Sequence, residues 1–192
     1  MKELVFLLEE ESAKALLERF LPRFLSPEIQ VRVIAFEGKQ DLAKRMAGKI
    51  RGYANREARF LILSDQDRTP DCRDVKQKFL DRCAESGRAD QCLVRIACRE
   101  LETFYLADLQ AVARALDIPN LERKQESQRF RNPDTQAGPS VILKALTDDR
   151  YQKVAGSRQI GEFLNPENTR SPSFRNFVAA IRRQQTELLS LA

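Results

Sequence analysis

A chain of 192 residues, 42% hydrophobic and 32% charged with 7 Gly and 8 Pro, has the makeup of one compact globular domain, not of a disordered, collagen-like or low-complexity protein. Its longest early apolar run, Leu4 to Leu8, ends at Glu9, Glu10 and Glu11. That is too short for a membrane span or a signal-peptide core, so a cytoplasmic protein with no membrane contact is expected. Lys and Arg number 33 against 28 Asp and Glu, and residues 121–192 carry +4 of the resulting +5, so an anionic partner is expected at the C-terminal third.

The first strand is predicted over Glu3 to Leu8. A helix follows in which Leu16, Leu17, Phe20, Leu21, Phe24 and Leu25 recur at the spacing of one buried face, with Ser12 as the expected cap. Ile29 to Phe36 is rich in β-branched residues and predicts a second strand. Gly38 and Lys39 then turn into a basic helix over about Asp41 to Tyr53. Phe60-Leu61-Ile62-Leu63 is a continuous apolar run, as in a strand buried on both faces of a parallel sheet. Beyond Pro70, Val75, Phe79 and Cys83 mark a third helix that Gly87 closes, and Cys92 to Ala97 predicts a fourth strand. A further helix is predicted from Arg99 to Pro119 with Leu101, Tyr105, Leu109, Val112 and Leu116 inward.

Strand and helix thus alternate four times, which predicts an α/β fold built on a wound, mostly parallel four-stranded sheet flanked by helices. From Asn120 onward Pro133, Pro139, Pro166 and Pro172 punctuate short helical stretches, and no strand is predicted. The expected organisation is an α/β core over residues 1–118 and a basic, mainly helical extension over 119–192 packed on it. Helices are predicted to start at Pro139 and at Ser171-Pro172.

The chain contains no histidine, which removes Ser-His and Cys-His nucleophile pairs and His-rich zinc sites. Its 4 cysteines, Cys72, Cys83, Cys92 and Cys98, form no Cys-x-x-Cys pair and are expected as reduced structural thiols. Cys72 and Cys83 share a helical face, which leaves zinc or a disulfide as alternatives. Catalysis, if present, rests on carboxylates, lysines or a metal.

Carboxylates collect where parallel sheets place functional groups, at the carboxyl ends of strands. Glu9 ends the first strand, Asp65 and Asp67 end the third, and Glu100 with Glu102 follow the fourth. So many hard oxygen ligands on one edge suit Mg²⁺ or Mn²⁺. In an extended segment Asp65 and Asp67 would project to the same side and share an ion. Read alone, Asp-x-Asp before Thr-Pro is a common turn, Glu10 and Glu11 are first-turn helix acids, and Glu100 and Glu102 on a helix would face different ways.

The strand ending in Glu9, the turn at Gly38, Asp65-Gln66-Asp67 and Arg99-Glu100-Leu101-Glu102-Thr103-Phe104-Tyr105-Leu106-Ala107-Asp108 together resemble the DUF4276 family, a branch of Toprim-like proteins. Asn132-Pro133-Asp134 and Tyr151-Gln152-Lys153-Val154-Ala155-Gly156-Ser157-Arg158 support the resemblance, which spans nearly the whole chain. It implies a Toprim-like fold related to the nucleases of the overcoming-lysogenisation-defect class, and a Mg²⁺-dependent phosphodiester hydrolase. Glu9, Asp65 and Asp67 are then catalytic and metal-holding, with Glu100 or Glu102 completing a second metal position. It also implies antiviral defence and an SMC- or ABC-type ATPase partner. One departure stands out: the family has Gly after the first glutamate and then a Thr-Glu pair, whereas this chain reads Glu9-Glu10-Glu11-Ser12-Ala13. The bulkier loop points to a rival function, a catalytically weak binding or regulatory subunit of an ATPase complex.

For nucleic acid, DNA or RNA, the expected phosphate contacts are Lys39, Arg123, Lys124, Arg129, Arg131, Lys153 and Arg158, with Arg182 and Arg183 as further candidates. Gly156-Ser157-Arg158 is expected as a loop presenting N–H groups to a phosphate. A homodimer is compatible with the sequence. Tyr53, Tyr105 and Tyr151 are the tyrosines a topoisomerase would need, but the chain is too short for strand passage.

Overall fold

The structure is a computed structural model that describes residues 1–191; Ala192, the last residue of the expected extension, lies outside the described residues. Four strands, β1 (Glu3–Leu8), β2 (Gln30–Ala35), β3 (Arg59–Asp65) and β4 (Cys92–Ala97), form one parallel sheet in the order β2-β1-β3-β4. In register, Leu4 pairs with Val31 and Arg59, and Phe60 with Cys92. The central position of β1 explains its sequence, since a strand with neighbours on both edges and helices on both faces has no wet side. Every residue from Glu3 to Leu8 is buried.

Alternation along the strands feeds two cores. Leu4, Phe6, Leu8, Leu61 and Leu63 point to one face, under α1 (Glu11–Phe20) and the C-terminal helices. Val5, Leu7, Phe60, Ile62, Val94 and Ile96 point to the other, under α2 (Lys39–Arg51) and α3 (Cys72–Glu85). The four-residue apolar spacing read in the first helix is its buried face, Leu16, Leu17 and Phe20. Its expected cap is displaced, however. Glu10 is the N-cap residue, and Ser12 lies inside the helix and donates to the Glu10 carboxylate at 2.8 Å.

The predicted helix from Arg99 to Pro119 is broken. A tight turn at Cys98–Glu102 leads into α4 (Thr103–Leu106), and α5 (Leu109–Leu116) starts afresh at Asp108, whose side chain accepts from Ala111 N. That capping carboxylate offers a second helix start inside one apolar period. The extension forms 3₁₀ turns at Leu121–Glu126 and Gln128–Phe130, then α6 (Pro139–Leu146), α7 (Lys153–Gly161) and α8 (Pro172–Leu189). Tyr151, Ile160, Leu164, Phe174, Phe177 and Ile181 are buried in the same cluster as Leu4 and Phe6, so residues on either side of position 118 share one core. No helix among the described residues is long and apolar enough to cross a membrane.

Candidate functional site

After β1 the chain leaves over one face of the sheet through α1, whereas after the neighbouring β3 it leaves over the other through α3. Adjacent strands whose connections part in this way open a crevice at their carboxyl ends. Glu9 and Asp65 stand on its two sides. The Glu9 carboxylate reaches across to β3, accepting from Ser64 Oγ at 2.6 Å and from Asp65 N at 3.1 Å. Burial first, then the carboxylates of Glu9, Glu102, Glu10 and Asp67, push the Asp65 carboxyl well above the usual carboxylate range.

Asp67 does not continue the strand. It takes a left-handed conformation, φ 55°, so Asp65 and Asp67 are not on one side of an extended segment, and the Asp67 side chain turns outward to pair with Lys39. Lys39 begins α2 and is placed by Gly38, whose φ of 97° only glycine adopts without strain and whose N–H bonds Glu9 O at 2.9 Å. Between the two aspartates, buried Gln66 ties two loops together. Its Nε2 donates to Thr69 O at 2.8 Å and Pro70 O at 3.2 Å, and its Oε1 accepts from Arg99 N at 3.2 Å. Glu100 accepts from Ser140 N at 2.7 Å, in the first turn of α6, and so joins the β4 exit to the extension.

Glu102 is buried in a polar nest below this edge. Burial lifts its carboxyl above the usual range, only partly offset by the Tyr151 hydroxyl, which donates to it at 2.9 Å. The Tyr151 hydroxyl also stands 3.3 Å from Ser157 Oγ, and the Tyr151 ring packs at 6.0 Å from that of Tyr105, a fully buried tyrosine whose hydroxyl has no hydrogen-bond partner among the described residues. The ring fits because position 156 is glycine: a Cβ there would lie 2.5 Å from Tyr151 Cδ2. Lys153 reaches back over the nest to Glu10 Oε2 at 2.7 Å. Burial works to lower its ammonium, but Glu10, Glu102 and Asp65 outweigh this and hold it above the usual range.

The structure therefore gathers Glu9, Asp65, Asp67, Glu102, Lys39 and Lys153 around one crevice, with Glu100 at its rim. The remaining expected basic residues are elsewhere or otherwise engaged. Gly156-Ser157-Arg158 is part of α7 and not a loop, and Arg158 pairs with Glu18 on α1. Arg182 pairs with Glu167 and Arg183 with Glu187, while Arg123, Lys124, Arg129 and Arg131 are exposed on the extension, Arg129 stacking over Phe130. All 4 cysteines are free: Cys83 and Cys92 are buried, and the Cys98 thiol is pushed up to about 12, chiefly by burial. Sequence reasoning missed Gln66, Arg68, Tyr151 as a partner of Glu102, and Arg99. Gln66 and Arg68 stand inside and beside Asp-x-Asp, and Arg99 and Tyr151 open two of the segments that carry the family resemblance, so each position had a local signal although none disclosed its contacts.

The donor set is hard and anionic, which suits a divalent cation of the magnesium kind. Among the described residues no three Cys, Asp or Glu side chains are already clustered closely enough to hold an ion, because Asp67 is turned to Lys39 and Glu10 to Lys153. Asp65 shows how strongly the edge favours added positive charge: it is crowded by four carboxylates and forms no ion pair among the described residues, nearby Lys153 being paired with Glu10 and Lys39 with Asp67.

The family profile of a domain of unknown function, DUF4276, matches residues 8–182. No curated protein matches the sequence. Among solved structures, the C-terminal region of the Burkholderia pseudomallei OLD protein superposes with a TM-score of 0.57 at 16% identity, covering 95% of this chain and 98% of that one. That likeness is one of fold, and it includes the parallel sheet, the flanking helices and the C-terminal extension. With the profile spanning both the carboxylate edge and the extension, the chain belongs to the DUF4276 family.

Proposed function

We propose that this protein is a metal-dependent phosphodiester hydrolase acting on nucleic acid. The observation that carries the reading is the crevice between β1 and β3, where Asp65, raised by burial and by Glu9, Glu102, Glu10 and Asp67, forms no ion pair among the described residues while nearby Lys153 is paired with Glu10 and Lys39 with Asp67. Glu9 and Asp65 would hold a Mg²⁺ or Mn²⁺ ion, with Asp67 joining once Lys39 moves from it. The ion would supply Lewis-acid stabilisation of the pentavalent phosphate and a more acidic water. Ser64 and the Asp65 amide orient Glu9 toward the crevice, where it is placed to ligate or to take a proton from attacking water. Lys39 and Lys153 stand on either side as charges for the phosphate, and the fold likeness to an OLD protein region agrees with this chemistry. A defence role beside an SMC- or ABC-type ATPase, and a cytoplasmic setting, complete the proposal.

The test is incubation of labelled plasmid, single-stranded DNA and total RNA with Mg²⁺, Mn²⁺ or EDTA, beside an Asp65→Ala/Asp67→Ala double variant. Metal-dependent cleavage lost in the variant is expected. A second reading, a binding or regulatory subunit of an ATPase complex, has its own observation: Glu10, where the family has glycine, is locked to Lys153, and Asp67 to Lys39. Metal-independent binding to an ATPase with no cleavage of any substrate would decide for it.

A further inference from the structure

Beside the crevice a cleft of about 1080 Å³ is lined by Lys39, Asp67, Arg68, Arg99, Glu100 and the 137–141 segment. Two of its three cations, Arg68 and Arg99, have no ion pair or side-chain hydrogen bond among the described residues, although Arg99 is half-buried. Among the described residues six non-glycine residues have positive φ; five are Asp or Asn, for which this is common, and the sixth is Arg99 at 65°. Arg99 is also the middle residue of a turn closed by Glu100 N donating to Cys98 O at 2.9 Å, the rare γ-turn with positive φ. The conformation is held from both sides, by Asp67 N donating to Arg99 O at 2.7 Å and by Gln66 Oε1 accepting from Arg99 N. A long cationic side chain on strained backbone, pinned by the residue between the two aspartates, is costly unless the guanidinium is used.

We propose that Arg99, with Arg68 beside it, is an anchor for a phosphate of a nucleic-acid strand lying in this cleft, and that Gln66 is the positioning residue that holds Arg99 there. The site rests on the proposed nuclease reading for its ligand class. It places a strand phosphate next to the carboxylate edge. A planar guanidinium suits this role, since it presents two parallel N–H groups to phosphate oxygens.

The strained backbone supplies a discriminating variant. Glycine adopts positive φ freely, so Arg99→Gly removes the guanidinium while relieving the turn. Binding is read by anisotropy of labelled mixed-sequence single-stranded and duplex oligonucleotides in EDTA, which stops cleavage, over a series of salt concentrations. The expected result is an unchanged or higher Tm, affinity about tenfold weaker and a salt slope smaller by about one, with Arg99→Lys restoring the slope. Gln66→Leu should weaken binding too, and the Gln66→Leu/Arg99→Gly pair should bind no worse than Arg99→Gly alone, because Gln66 acts through Arg99. Unchanged affinity and slope in Arg99→Gly, a lower Tm in that variant, or a parent protein that binds neither oligonucleotide would overturn the anchor. Fully additive losses would overturn the role of Gln66. Metal-dependent cleavage is scored separately, so the anchor can fail while the nuclease stands, and the reverse.

Discussion

Tyr151→Phe removes one oxygen from the protein interior and tests the polar nest beneath the carboxylate edge. The Tyr151 hydroxyl donates to Glu102 at 2.9 Å, and both residues are buried. A hydrogen bond to a charged group contributes about 1.5–3 kcal/mol. For a chain of this size each kcal/mol moves Tm by about 2–4 °C, so the variant should melt roughly 3–12 °C lower near neutral pH. The loss should depend on pH, with a sign set by Glu102. Burial holds the folded carboxyl above its unfolded value, so the folded state binds this proton more tightly. The stability that this contributes is complete below the unfolded carboxylate range and is lost as pH rises through the folded value. Removing the hydroxyl takes away a donor that favours the ionised form, and raises the folded value further. The gap between parent and variant should therefore widen as pH rises from the unfolded carboxylate range through the folded value, and Glu102→Gln should shrink it in a double-mutant cycle. Thermal melts of the four proteins across that range are the assay. A gap that does not change with pH, or effects of Tyr151→Phe and Glu102→Gln that simply add, would refute the account of the nest.

Asp65→Asn should raise Tm in EDTA at neutral pH, because the folded Asp65 carboxyl is held above its unfolded value and its ionisation opposes folding; any Mg²⁺-induced rise in Tm should vanish with it, as melts with and without the ion will show. Gly156→Ala should cost about 1–3 kcal/mol in chemical denaturation, since the new Cβ lies 2.5 Å from a fully buried ring that cannot step aside. Reversing Arg129 and Arg131 to Glu should weaken oligonucleotide binding and flatten its salt dependence; an unmoved slope would make the exposed turn of the extension mere surface.

What the chain determines locally was legible in it. Strands buried on both faces, such as Phe60 to Leu63, are apolar without interruption, and helices such as α1 repeat at the spacing of one face, so element types, the parallel sheet and the carboxylates at its edge follow from short-range periodicity. Element boundaries fared worse where a side chain competes with the period: Asp108 starts a new helix within an apolar repeat, and Lys153 to Gly161 coils although its sequence suggests a glycine loop. The tertiary structure alone decided what each charge does. Lys39 meets Asp67 across 28 residues, Tyr151 meets Glu102 across 49 and Lys153 meets Glu10 across 143, separations at which no local pattern carries information. These contacts arise because β1 and β3 are neighbours whose connections part to opposite faces, and because the extension folds back over their ends. An acidic sequence motif thereby becomes a crevice with two aspartates of different character, one half-buried and crowded, the other turned outward on a lysine.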